Sequence, residues 1–587
     1  MQNIMNDPNN IVDEMIEGFL KAHPDIVKPT NNPRVVKSTF ICEGKVGIVT
    51  GGGSGHKPAF IGYVGENMVD AVAIGEVFSS PTAKAFEDAF EAADQGKGVA
   101  CLYGNYSGDN MNVKMAVQRA KERGINVKTV VANDDVASAP FNHREARRGV
   151  AGEIFMWKCA GAKAAQGASL DEVISTAQKA IDNTRSIGIG IAPCTLPSRG
   201  EPNFTIKPGT MEVGIGHHGE PGVAVVPLES ADKIADRMVS NILNDFADVS
   251  KIRDVVLLVS GLGATPEIEL YVLSRKVEML IEKRGINIHK AYVGNYFTSL
   301  DMKGATLSIM MLDDELKSLI DYPAFTVGFK ERESKNTLNL KVNKRAVAQE
   351  EVRKSHTSLE SKEDVVNITH NKEISETFIN KSGSTILMEM VKRIQENKDY
   401  LGEIDGLIGD GDHGANMNKG FSEYEKEYKN RNISFTEGLE KLGMILQEKI
   451  GGSMGPIYGS IFLSMSKRGN DLNEIGLVSF EEMLESGLNA LESLVGARVG
   501  DKTLVDTLSP AVNSLKNSIQ KNNSFKEALC EMKLSAEIGR NSTKNMVAKF
   551  GRSARLGERS KGVLDAGATS CCIILESMAD GIIKILE

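Results

Sequence analysis

The chain has 587 residues, 41% of them hydrophobic and 25% charged, with 57 glycines against 17 prolines. At roughly 100–200 residues per domain, that length excludes a single core and predicts two to four domains of ordinary globular composition. A net charge of −9, from 69 basic and 78 acidic residues, excludes a nucleic-acid binder built on a basic stripe, although an anionic substrate can still occupy a local pocket.

The opening residues MQNIMNDPNNIVDEMIEGFL lack the basic region and apolar run of a secretory signal. No stretch approaches the roughly 18 apolar residues of a membrane helix. Cys42, Cys101, Cys159, Cys194, Cys530, Cys571 and Cys572 are scattered and include no CxxC pair. A disulfide framework is therefore not expected, and the cytoplasm is the expected compartment.

In chain order, KVGIVT (45–50), AVAIG (71–75), KGVACLYG (97–104), NVKTVVA (126–132) and DVVLLVSG (254–261) read as buried strands. PTAKAFEDAFEAAD (81–94) and NMNVKMAVQRAKERG (110–124) read as the helices between them. This alternation predicts βαβ units on a largely parallel sheet. After a helical stretch at 151–182, SIGIGIAPCTL (186–196), MEVGIGHHG (211–219) and GVAVVPL (222–228) form a second strand series. Residues 1–329 are thus expected to hold two α/β lobes, divided near 185.

Residues 330–373 carry charges of both signs and no Gly, Pro or aromatic residue. They are predicted to form an exposed, partly helical connector that tethers two modules without contributing to a site. From 374 to 587 the pattern is helical: Ile386, Leu387, Met390, Val391 and Ile394 make one apolar stripe, and 435–450, 479–495, 528–546 and 568–586 follow suit. The second module is expected to be all-α.

In the first module, three places carry chemistry. GIVTGGGSGHKPAF runs a strand into glycines around Ser54 and His56, where an open α/β sheet places its ligands. It is not a GxGxxG site, since His56 stands where the last Gly is needed, and the chain has no P-loop tripeptide. The alternative is a sharp turn requiring positive φ. GNYSGDNMN (104–112) repeats the strand–loop–helix pattern, with Asp109 either functional or a helix cap. GIGHHGEPG (214–222) sets His217 and His218 among glycines; read as a strand, it points them to opposite faces, and a neutral imidazole there can act as nucleophile or base.

In the second module, IDGLIGDGDHGANMNKGF gathers Asp405, Asp410 and Asp412 among glycines, a donor set for Mg²⁺ with room for phosphate. It is not an EF-hand, because Phe421 stands where the twelfth-position Glu would be. GGSMGPIYG (451–459) suits backbone contacts to phosphates, and GRSARLGERSKGVLDAGA (551–568) adds Arg552 and Asp565. Together they predict a metal–nucleotide site and phosphoryl transfer.

With GGGSGHKPAF, GNYSGDNMN, GHHGEPG, TSLDMKGATLS (298–308), GDGDHGANMNKGF, GDKTLVDTL (500–508) and the stretch from LGERS to GATS (556–570) in this order, the chain resembles the single-chain dihydroxyacetone kinases over nearly its whole length. The family unites a DhaK-type ketose-binding module and a DhaL-type nucleotide-binding helical barrel. The resemblance implies that His218 attacks the substrate carbonyl to give a hemiaminal, which glycerol, lacking a carbonyl, cannot form. It implies that Gly53, Ser54, Gly55 and His56 line the substrate pocket, and that Asp109 takes the terminal hydroxyl proton with help from His56. Asp405, Asp410 and Asp412 would hold two Mg²⁺ ions on ATP. His413, Gly414, Ala415, Asn416, Ser453, Met454, Gly496, Leu504, Arg552, Asp565, Ala566, Gly567 and Ala568 would surround the nucleotide, and the first module would form a homodimer.

Three positions depart from the family's pattern: His217 replaces a usual aliphatic residue, Met454 a small hydroxyl residue and Ala566 a proline. Dihydroxyacetone is the expected acceptor, with glyceraldehyde and erythrulose as alternatives. A phosphorelay component or a non-catalytic ketose sensor are the other classes; fusion of both modules and the intact Asp109, His218, Asp405, Asp410 and Asp412 favour an ATP-dependent kinase.

Overall fold

The computed structural model describes residues 4–332 and 376–587 except Arg199, Asn203 and Asp410, and of Arg552 and Arg555 only the backbone. Residues 333–373 of the expected connector lie outside the described residues.

The first sheet runs Val27–Pro29, Val35–Ser38, Ala71–Val77, Gly47–Ser54, Val99–Gly104, Val127–Ala132, its last four strands parallel. Its strands are apolar on both faces, as a sheet covered on both sides requires. Alternate residues part accordingly. Val49, Cys101 and Tyr103 pack with Phe86 and Phe90 of the helix Ala83–Ala93. Ile48, Ala100 and Leu102 pack with Phe155 and Trp157 of the helix Glu153–Ala165. The second sheet runs Ala224–Pro227, Thr210–Val213, Thr184–Ala192, Lys303–Leu312, Asp254–Gly261, Asn287–Gly294 and is antiparallel except for its last pair. The expectation of mainly parallel pairing therefore holds for the first sheet only.

The second module is helix-rich, with one small exception. Thr377–Ile379 and Glu474–Gly476 form a two-stranded antiparallel ribbon that the sequence reading missed, because three-residue strands leave no periodic signal. The apolar stripe at 386–394 lies on the helix Ser384–Glu396, with all five residues buried. Met111, from the first module's helix Ser107–Glu122, packs into the core of the helical module. Among the described residues, no helix is long and apolar enough to cross a membrane. All seven cysteines are free.

Candidate active site

One pocket collects residues from both lobes of the first module. Gly51, Gly52, Gly53, His56, Phe60, Phe78, Ser80, Gly104, Tyr106, Asp109 and Glu153 come from the first, and His217, His218 and Phe297 from the second. The glycine run is not a turn: the strand continues through Ser54, and within 51–56 only Gly55 has positive φ, +104°. These glycines are dictated by close approach. A Cβ on Gly52 would lie 2.1 Å from the Phe60 ring, and one on Gly53 2.8 Å from the Ser79 nitrogen. Gly53 and His56 line the pocket, whereas Ser54 turns its hydroxyl to the Gly75 carbonyl, 2.8 Å away.

The two adjacent histidines do not lie on a strand. The strand ends at Val213, and Gly214–Gly219 form a bend in which both His217 and His218 reach the pocket. Opposite-face alternation therefore does not apply, and the expectation that His217 points away is corrected. His217 stacks on Phe297 at 4.7 Å between ring centres, its Nε2 3.2 Å from the Thr306 hydroxyl. Burial, and next the neighbouring His218, lower its pKa to about 3.

The Nε2 atoms of His218 and His56 stand 3.1 Å apart. His56 Nδ1 faces the Thr298 carbonyl at 2.8 Å, and a carbonyl only accepts, so that nitrogen carries a hydrogen. His218 Nδ1 faces Glu220 Oε1 at 3.0 Å, while the His218 amide donates to Glu220 Oε2 at 2.9 Å. Glu220 in turn lies 3.9 Å from Arg148, which is fixed by Asp135 at 2.6 Å. An anionic Glu220 places a hydrogen on His218 Nδ1 as well. Two neutral rings would then oppose lone pairs across 3.1 Å, so the contact holds a shared proton and the pair carries one positive charge against Glu220. Burial, then His218 and His217, depress the pKa of His56.

Asp109 lies in the first turn of Ser107–Glu122, three residues after the cap position Tyr106. It does not cap the helix: the carboxylate is buried and accepts the Ser80 hydroxyl at 2.7 Å. The second module reaches this point directly. Gly452 donates its N–H to the Ser80 carbonyl at 2.9 Å, and Asn112 donates to the Gly452 carbonyl at 2.8 Å. Arg119 bonds Gln447 at 2.7 Å, and Lys419 pairs with Glu76.

A Cβ on Gly451 would lie 2.0 Å from the Ser80 carbonyl oxygen. Gly451→Ala is therefore expected to wedge the modules apart and lower phosphoryl transfer by about tenfold or more, the scale of an overpacked contact. Ketose and nucleotide should each still bind by calorimetry; unchanged turnover would show that this contact does not matter.

Around the carboxylate loop the helices Met454–Gly469, Val505–Gln520 and Ala566–Leu586 begin at one end of the module, together with His413–Tyr428. The start of the last helix joins them. Ser570 Oγ lies 2.8 Å from His413 Nε2 and 2.7 Å from the Tyr458 hydroxyl, and Thr507 donates to the Ala568 carbonyl at 3.1 Å. Gathered helix N-termini suit phosphates. Ser453 and Leu504 occupy the residues before two of these helices, His413–Asn416 the first turn of a third, and Ala566–Ala568 that of the fourth. Asp565 caps the fourth by accepting the Ala568 N–H at 2.7 Å, and burial raises its pKa to about 7. Gly496 ends the helix Leu477–Val495 with φ +68°, and Arg552 begins the short segment Arg552–Ser560.

Asp405 accepts the Gly411 N–H at 2.8 Å, and the half-buried Asp412 stands beside it. Burial first, and the Asp405 carboxylate second, push the Asp412 pKa upward. Two half-buried carboxylates side by side present hard oxygen donors, which fit Mg²⁺. Asp410 lies outside the described residues.

A histidine pocket on an α/β module, with the Gly451–Gly452 loop of a helical module docked beside its acid, is an arrangement suited to a phosphotransferase. Residues 17–328 match the Dak1 domain and residues 407–580 the DAK2 domain. The chain belongs to the dihydroxyacetone kinase family, with both domains in one polypeptide. It is 33% identical to a D-erythrulose kinase of Mycolicibacterium smegmatis over 99% of this chain and 98% of the relative. It is likewise 33% identical to an L-erythrulose kinase of Pectobacterium atrosepticum, over 99% and 96%, and 29% identical to a probable dihydroxyacetone kinase of Dictyostelium discoideum, over 98% and 99%. The dihydroxyacetone kinase of C. freundii, solved alone and with AMP-PNP and Mg²⁺, shares the fold: TM-scores are 0.53 and 0.52 at 24% identity, each over 99% of both chains.

Proposed function

We propose that this protein phosphorylates a small ketose, dihydroxyacetone or the four-carbon erythrulose, with ATP and Mg²⁺. The observation that carries the reading is the pairing of His218 with Asp109 in one pocket against which the Gly451–Gly452 loop is docked. The named activities of the relatives support both acceptors.

His218 Nε2 bonds to the ketose carbonyl carbon, the carbonyl π pair moves to oxygen, and that oxygen takes the proton shared with His56. Total charge is unchanged: the cationic ring, now carrying carbon at Nε2, stays paired through Nδ1–H with Glu220. The tetrahedral adduct fixes the terminal hydroxyl, whose proton Asp109 accepts as its oxygen becomes nucleophilic. Ser80, donating to Asp109, holds the carboxylate in place. Asp405, Asp410 and Asp412 would hold two Mg²⁺ ions, and the helix N-termini at Ser453, Leu504 and Ala566 would receive phosphates. When bound, the metal–nucleotide supplies the phosphoryl group with its charge neutralised.

Coupled ADP release with dihydroxyacetone, erythrulose, glyceraldehyde and glycerol tests the reading. Turnover with the carbonyl sugars and none with glycerol is expected. Equal turnover with glycerol would sink the covalent step.

A further inference from the structure

The mechanism leaves one acidic side chain in the pocket unused. Glu153 is 1% exposed and lines the pocket with Asp109. Among the described residues, its Oε2 is buried without a hydrogen-bond partner. Such orphans are rare in native folds and mark a missing partner.

The surrounding backbone is shaped to leave this carboxyl room. A Cβ on Gly104 would lie 2.4 Å from Glu153 Oε1, and one on Gly149 2.7 Å from it. Gly104 ends the strand Val99–Gly104, which leads to the Asp109 helix. The turn carrying Glu153 is pinned as well, since Asp134 accepts the Val150 and Gly152 N–H groups, each at 3.0 Å. The carboxyl is therefore held against the pocket wall.

Its charge state follows from its neighbours. Burial, then Asp134 and Asp109, push the Glu153 pKa well above the usual carboxylate range. The helix N-terminus would favour an anion, but Asp134 already takes two N–H groups there. A neutral acid offers a donor that the carboxylate Asp109 cannot.

We propose that Glu153 is a specificity-determining residue: a neutral carboxylic acid whose Oε2 edge hydrogen-bonds a hydroxyl of the bound ketose and so sets which end of the sugar lies at Asp109. The proposal rests on the ketose-kinase reading of this pocket. Glu153 keeps its proton throughout and takes no part in bond making.

The test compares full-length Glu153→Gln and Glu153→Met with the wild type. Glutamine keeps the shape and a donor, so kcat/KM for the ketose should stay within about threefold. Methionine removes both polar atoms and should raise the ketose KM by roughly tenfold or more, with kcat and the KM for ATP little changed. In infrared difference spectra, the carboxylic acid band present in wild type and absent in Glu153→Gln should move when ketose is added. A wild-type ketose KM in the methionine variant, equal impairment of both variants, or a band indifferent to ketose each overturns the proposal. If the methionine variant does not fold, the glutamine variant and the band decide. A wild type inactive on every carbonyl sugar sinks the ketose reading itself; an active wild type with unaffected variants sinks only the role of Glu153.

Discussion

Replacing His218 with alanine is expected to reduce ketose phosphorylation by at least about a thousandfold, the order seen when a covalent nucleophile is removed. The fold should survive. His218 packs by its edge against Phe78 and Tyr106, each at 5.0 Å between ring centres, and contributes little core. A ketose labelled with ¹³C at the carbonyl separates the covalent role from simple binding. Wild type should show the signal of a tetrahedral carbon, and His218→Ala only that of a free carbonyl. His217→Leu is the control. Its ring lies in the same pocket but is committed to Phe297 and Thr306, and losing those contacts should cost less than about tenfold in kcat/KM. A tetrahedral signal in the alanine variant, or wild-type turnover without His218, would refute the hemiaminal.

Much of this architecture is written in local pattern. The strands of the first sheet are short apolar runs between turn residues, and its helices show a clear apolar period. The second module is legible for the same reason: Ile386, Leu387, Met390, Val391 and Ile394 all turn inward as their spacing demands. Element ends read less well. The helix after Gly104 starts at Ser107, ahead of the apolar period that begins near Met111, which sets Asp109 inside the first turn and decides between its two readings, cap or pocket residue, in favour of the pocket. The strand at Val213 stops before the histidines because Gly214 adopts φ +80°. No periodicity announces such a turn.

The pocket was legible where it is built from contiguous residues and illegible where it is not. Gly53, His56, Asp109 and His218 lie in conspicuous small-residue motifs. Ser80, Phe297 and Glu153 sit in unremarkable segments and reach the pocket only through tertiary packing. Glu220 stood in plain view within GEPG, two residues after His218, and a carboxylate at that spacing could have suggested the ring's partner. Arg148 could not have been found this way, because its link to Glu220 crosses from one lobe to the other. The same holds for Gly451 and Gly452. Their small size reads in the sequence as a feature of a phosphate loop, yet part of its cause is the Ser80 backbone of the other module, a contact that exists only once the modules are docked.

The second large effect belongs to the carboxylate loop. Asp412→Asn is expected to lower Mg²⁺-dependent ATP turnover by at least about a hundredfold, since a charged ligand to the cation is replaced by a neutral one. Asp412 is the cleaner position for this test. Asp405 also holds the loop backbone through the Gly411 N–H, so its substitution would mix metal affinity with loop structure. Asp412 occupies the cap position of His413–Tyr428 without making a side-chain cap bond, and asparagine is equally tolerated there. Titration with Mn²⁺, followed by paramagnetic relaxation of water, should show weakened cation binding in the variant. The ¹³C adduct signal at His218 should persist, because the ketose pocket draws its lining residues from the first module alone. Loss of that signal would mean that the two modules do not divide the work between ketose and nucleotide. Unchanged cation affinity together with unchanged turnover would remove Asp412 from the metal site.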